Sequence, residues 1–225
     1  MLPTLLAVIA VALFVAAGNW QRDRMQQKEA LGQQLATTAG MPPVSLPAGE
    51  IDWRTWRFRT VDVSGRYVTD QQFLVDNRIH AGRAGYHVVT PLAVDDGRIV
   101  LVNRGFVAAG PTRDVLPVAP APEGPVKVRG RVNPAPAKFL ELGDNVPRRG
   151  VWQNLDPQRF AAASGLRVMP IVIEQIDGPS NGLVRHWPRP DAGTDRHRIY
   201  MMQWYAFAAL AAGLWAWFTF RRRTE

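Results

Sequence analysis

Two long stretches without a charged side chain, Met1 to Gln21 and Ile199 to Phe220, constrain this chain more than anything between them. Each is about as long as the roughly 20 residues a helix needs to cross a bilayer. The polar segment between them carries scattered Trp, Gly, Pro and Arg and is long enough for one domain with its own core. The expected fold class is two transmembrane helices, N- and C-terminal, flanking a mainly β (α+β) extracytoplasmic domain. The expected boundaries are a span at 1–21, a helical extension and linker at 22–50, a periplasmic β-rich domain at 51–196, a span at 197–220 and a cytoplasmic tail at 221–225.

Charge sets the orientation. The second stretch ends in Phe218, Phe220 and Arg221-Arg222-Arg223, an aromatic belt and a basic stop, which places that tail in the cytoplasm. With two spans the N-terminus is cytoplasmic too, and the domain faces the periplasm of a bacterium. Arg22, Arg24 and Lys28 open a long translocated segment, and long segments cross largely regardless of charge. Val15-Ala16-Ala17 offers small residues to a signal peptidase. The run lacks a basic start and is long for a signal core, which favours a retained anchor.

The absence of cysteine excludes disulfides, thiolate metal sites and cysteine catalysis. The net charge is +8, and nearly all cations are arginines, with lysine only at Lys28, Lys127 and Lys138. These arginines are dispersed through strand-like segments and form no basic helix or reader motif, which speaks against nucleic acid as a partner. A solvated surface facing lipid headgroups or an acidic partner is the simpler reading.

From Arg22 to about Ala36 helix formers continue the first span, with Met25, Leu31 and Leu35 at helical spacing, until Gly40, Pro42 and Pro43. Strands are expected at Phe58–Val63, from Phe73, at Gly85–Leu92, at Arg98–Val107, at Val126–Val132 and at Val168–Gln175. Pro170 marks the start of the last as an edge. Asp95-Asp96-Gly97 makes a hairpin turn. Pro111 to Pro125 reads as a loop or extended linker, and Asp156-Pro157 through Ser164, closed by Gly165, as a short capped helix.

Enzyme signals are weak: no nucleophile elbow, phosphate loop or dinucleotide fingerprint is present, and Asp95-Asp96 suits a turn better than a catalytic pair. Among the histidines, His80 reads as exposed, His87 as a hydrogen-bonded structural residue and His186 as ambiguous. His197 differs because it sits where the second span begins. Tyr200 follows three residues later and Trp204 seven later, on one helical face, with Gln203 and Tyr205 beside it. Such residues are ordinary interfacial anchors. A neutral imidazole is also a competent axial ligand for haem iron. Trp20 stands at the matching edge of the first span. A flat apolar cofactor lodged between paired spans is the sharper of the two readings.

Four blocks carry a family resemblance. They are Gly18-Asn19-Trp20-Gln21 with Arg24 and Lys28, then Val63-Ser64-Gly65-Arg66-Tyr67 with Asn77-Arg78. The third is Gly85-Tyr86-His87-Val88-Val89-Thr90-Pro91-Leu92 with Val100-Leu101-Val102-Asn103-Arg104-Gly105-Phe106-Val107. The fourth is His197-x-x-Tyr200 with Gln203-Trp204-Tyr205. In this order the chain resembles the Surfeit locus protein 1 family of cytochrome c oxidase assembly factors. The resemblance implies a non-enzymatic inner-membrane protein that binds haem a as cargo and assists its insertion into oxidase subunit I. It implies His197 as axial ligand of the haem iron, with Tyr200, Trp204 and Trp20 shaping the pocket, and haem a synthase as a further partner beside the bilayer. Arg104 matches the family pattern in a structural or partner-facing role. Departures are Arg196 and Arg198 around His197, and Phe106 where the family often has Trp. The start of the chain, close to the first span with no transit peptide, favours a bacterial origin. The alternatives are a haem-independent chaperone that docks oxidase subunits, and a membrane-tethered periplasmic enzyme.

Overall fold

A computed structural model describes residues 2–47, 52–112, 115–134, 150–187, 191 and 193–221. The chain divides into two compact units, one made of Met1–Gln34 with Pro188–Glu225 and the other of Leu35–Trp187.

The second unit is mainly β, as expected. Its strands are β1 (Val44–Ser45), β2 (Thr60–Tyr67), β3 (Phe73–His80), β4 (Arg83–Val94), β5 (Ile99–Ala108), β6 (Pro125–Pro134), β7 (Val151–Trp152) and β8 (Val168–Gln175). They lie in the order β1-β2-β6-β8-β5-β4-β3-β7. A further pairing of β2 with β4 closes β2, β6, β8, β5 and β4 into a ring of five strands. Closure gives each of these five strands a partner on both sides. Alternation makes the ring's interior. Val61 and Val63 on β2, Val100 and Val102 on β5, and Ile171 and Ile173 on β8 point inward and are almost wholly buried. Each contributes about 1.5–3 kcal/mol relative to exposure.

The outer face carries a second core. The helix α2 (Pro157–Ser164) is capped by Asp156, whose carboxylate accepts from the Gln158 and Arg159 amides, and closes at Gly165 in the left-handed region. Its Phe160 stacks on Phe73 at 5.0 Å and lies beside Trp152. The dispersed arginines find strand-to-strand partners here. Arg129 grips the Asp62 carboxylate at 2.7 and 2.9 Å, and Arg131 meets Glu174 at 2.9 Å, each pair in lateral register. The Arg129 hydrogen bond holds the Asp62 carboxyl below its ordinary value.

Two expectations need correction. The strand β8 is not an edge: it lies between β5 and β6, and the register of β5 against β8 shifts between Ile99 and Leu101, opposite the segment that holds Pro170. The ladder skips there, so the missing amide of Pro170 costs little. The strand expected from Phe58 starts at Thr60, because Phe58 is buried with φ 66°, a left-handed turn that aims the chain into β2. The hairpin of Asp95-Asp96-Gly97 forms, with Gly97 at φ 83°.

The first unit holds helix α1 (Leu2–Ala39) up to Gln34, and helix α3 (Thr194–Arg221). Among the described residues α1 alone is both long and apolar enough to cross a membrane. The helix α3 is 28 residues long, but its Trp, Tyr and Gln side chains make it less apolar.

Candidate functional site

Side chains repeating at alternate spacings of four and three mark a seam between two helices. On α1, Val11, Phe14, Gly18, Gln21, Met25, Lys28 and Gly32 follow that spacing and are among the sheltered positions. On α3, Thr194, His197, Met201, Trp204, Ala208 and Ala211 do the same. The helices run antiparallel and meet through these rows. Trp204 stacks on Phe14 at 5.9 Å with 27° between the planes, and Phe207 closes on the same ring at 5.8 Å. Gly18 lets the Tyr205 ring approach so closely that an added Cβ would lie 2.5 Å from it.

Polar contacts fix the register of the pair. The Tyr205 hydroxyl donates to Asn19 Oδ1 at 2.8 Å, and Arg198 meets Glu29 at 3.3 Å. Between these layers His197 Nδ1 lies 2.8 Å from Gln21 Oε1. Gln21 is 9% exposed, so its amide oxygen is spent on this bond. With an amide oxygen as acceptor, Nδ1 carries the hydrogen, and in the neutral ring Nε2 keeps its lone pair. Ligating histidines are commonly held this way, by a hydrogen bond at the other nitrogen.

The structure brings His197 and Trp204 onto the seam but not together with Tyr200 or Trp20. Tyr200 is 45% exposed and Trp20 55% exposed, and the Arg24 guanidinium lies over the Trp20 ring at 5.8 Å. The residue that meets His197 is Gln21. Its signal was present in the sequence as the four-and-three spacing Phe14, Gly18, Gln21, Met25, which runs from the apolar stretch into the polar extension without a break.

Three more flagged residues lie in the β unit. His80 is half-buried rather than simply exposed, with its ring 5.5 Å from Phe106 and 5.7 Å from the exposed His186. Arg104 is 2% exposed and serves the strand ring internally. His87 is the structural histidine expected: Asn103 Nδ2 contacts its Nδ1 at 3.1 Å, and Trp187 packs edge-on at 5.5 Å. Burial pushes the His87 ring down to about 4 from 6.5, and the Arg78 guanidinium adds repulsion. Such a ring is neutral in the fold and takes up a proton on unfolding. Stability is therefore expected to fall as pH drops from about 6.5 to about 4, by on the order of 2–3 kcal/mol. Urea titrations at stepped pH check this: His87→Gln should flatten that limb, and an unchanged slope would refute the assignment.

The SURF1 family model matches residues 8–209. A SURF1-like protein of Monosiga brevicollis is 29% identical over 220 residues, covering 88% of this chain and 80% of that protein. Surfeit locus protein 1 of Homo sapiens is 28% identical over 235 residues, covering 93% and 75%. An uncharacterized SURF1-like protein of Mycobacterium tuberculosis is 27% identical over 217 residues, covering 92% and 79%. The match takes in the strand ring, the Gln21 layer of α1 and the His197 layer of α3, and on that extent the chain belongs to the SURF1 family.

Proposed function

We propose that this chain is a membrane-bound assembly factor for haem–copper cytochrome c oxidase that carries haem a and assists its insertion into subunit I. Family membership is consistent with a role in oxidase assembly. In this reading both helices cross the bacterial inner membrane, both termini are cytoplasmic, the β unit is periplasmic, and the protein is a carrier rather than an enzyme. Haem a synthase is the donor-side partner.

The observation that carries the reading is the hydrogen bond from His197 Nδ1 to Gln21, which orients the ring and frees Nε2 as a donor to iron. Trp204 and Phe14 supply aromatic surface one to two turns deeper. The donor fits a haem. The space between the helices does not, because Gly18 and Tyr205 are already in contact. Haem would have to part the helices at that layer or reach Nε2 from a flank. That closed packing is also what favours a second reading, a haem-independent chaperone that docks oxidase subunits.

The test is to co-express the full chain with a haem a pathway, purify it in detergent and record the Soret band. His197→Ala should remove the band, and Gln21→Leu should weaken haem affinity by about 10- to 100-fold, as loss of a partner behind a ligand does. A wild-type band in His197→Ala removes the ligand assignment. Haem-free wild-type protein that still co-purifies with subunit I favours the chaperone.

A further inference from the structure

The seam contacts separate the two flanks of the helix pair. Arg198 with Glu29, and Tyr205 with Asn19, lie on one flank. At 100° per residue, Trp20 and Arg24 fall on the opposite flank of α1, and Arg196 and Tyr200 on the opposite flank of α3. Antiparallel packing brings those two opposite flanks to the same side. All four residues are exposed.

Height sorts them into two tiers. Taking the Gln21–His197 bond as the level mark and a rise of about 1.5 Å per residue, Trp20 and Tyr200 lie below it and Arg24 and Arg196 above it, each tier within about 3 Å. The same side thus carries two aromatic–arginine pairs, each spaced by four residues, with both cations displaced toward the water. The arginines of the two flanks also differ in partnership. Arg22 lies 3.7 Å from Asp23, and Arg198 pairs with Glu29 and Asp195. Among the described residues neither Arg24 nor Arg196 has a carboxylate partner, although Arg24 also meets the neutral Gln27 amide.

We infer that this flank holds the headgroup phosphate of an anionic phospholipid of the outer leaflet, between Arg24 and Arg196, with the acyl chains beside Trp20 and Tyr200. The inference rests on the proposed reading of α1 and α3 as membrane helices. Two unneutralised guanidiniums one turn above two interfacial rings match a phosphate above the start of its acyl chains in both charge and height. Trp20 and Tyr200, first expected in a pocket between the helices, thereby act on the outside of the pair.

The test uses the full chain in phosphatidylcholine nanodiscs with spin-labelled phosphatidylglycerol or spin-labelled phosphatidylcholine as probe. The motionally restricted fraction reports lipid preference. The wild type should prefer phosphatidylglycerol by about fivefold for each arginine. The double variant R24Q/R196Q should lose that preference, while R22Q/R198Q, which removes equal charge, should keep it. Equal loss in both variants would reduce the effect to overall charge and overturn the site. Displacement of the restricted lipid by added haem a would assign the flank to the carrier's cargo and overturn it as well. Because the chain has no cysteine, Leu214→Cys gives a clean control with an impermeant maleimide. A reactive thiol shows that α3 lies outside the bilayer and sinks the membrane reading itself. A protected thiol without lipid preference sinks only the lipid site.

Discussion

Arg104→Leu is expected to lower the stability of the full chain by about 3 kcal/mol, because hydrogen bonds to a charged group contribute about 1.5–3 kcal/mol and an acceptor is left short of its donor. Arg104 Nη1 donates to Gln72 Oε1 at 2.9 Å and to the Ala119 carbonyl at 3.2 Å, and Nη2 donates to the Pro120 carbonyl at 2.9 Å. Gln72 closes the loop: its Oε1 also accepts from Thr90, and its Nε2 donates to Ala119. Leucine fills part of the volume but leaves the Pro120 carbonyl without this donor and the Ala119 carbonyl with Gln72 alone. Among the described residues the guanidinium has no carboxylate partner; it faces the Tyr67 ring at 5.5 Å, and burial lowers its proton affinity. The same burial holds the Tyr67 hydroxyl up at about 12, so the phenol stays neutral. Arg104→Lys should recover part of the loss, because an ammonium reaches one acceptor and cannot fork to three. Urea unfolding in detergent followed by Trp fluorescence reads both variants. A change below about 1 kcal/mol in Arg104→Leu would show that the network does not hold the fold.

Gly65→Ala is the second large effect, about 3 kcal/mol or more, and it acts on the closure of the strand ring. Gly65 pairs with Val126 of β6 on one side and Val94 of β4 on the other, so it is where β2 serves both neighbours. A Cβ there would lie 2.1 Å from the Ala93 carbonyl oxygen and 2.9 Å from its carbon. Both are backbone atoms inside a ladder, so relief requires β2 and β4 to part. Gly97→Ala provides the contrast. Its φ of 83° is strained for alanine, but nothing lies within 4 Å, so its cost should be about 1–2 kcal/mol. Hydrogen exchange at residues 92–94 separates the cases: Gly65→Ala should lose protection there, and Gly97→Ala should keep it.

Much of the β unit was readable because its chemistry is local. Alternation at Val61 and Val63, the Asp-Asp-Gly hairpin and the Asp156 cap depend on neighbours within a few residues. Pro170 misled because a proline's cost depends on the partner strand, and only the register of β5 shows that the ladder skips there. The stretch from Pro111 to Pro125 read as a loop or extended linker, and what spacing could not show is that Ala119 and Pro120 are pinned by an arginine 15 and 16 residues upstream.

The candidate site divides the same way. By itself the amino-acid order determined two uncharged stretches, a polar domain between them, and an imidazole at the start of the second stretch, since length and charge are properties of a segment alone. Tertiary structure decided that Gln21 rather than Trp20 meets that imidazole, that Trp20 and Tyr200 face outward, and that β2 returns to β4 to close the ring. Each of those outcomes depends on which helix flank or strand edge finds a partner, and a partner far along the chain is set by packing rather than by spacing.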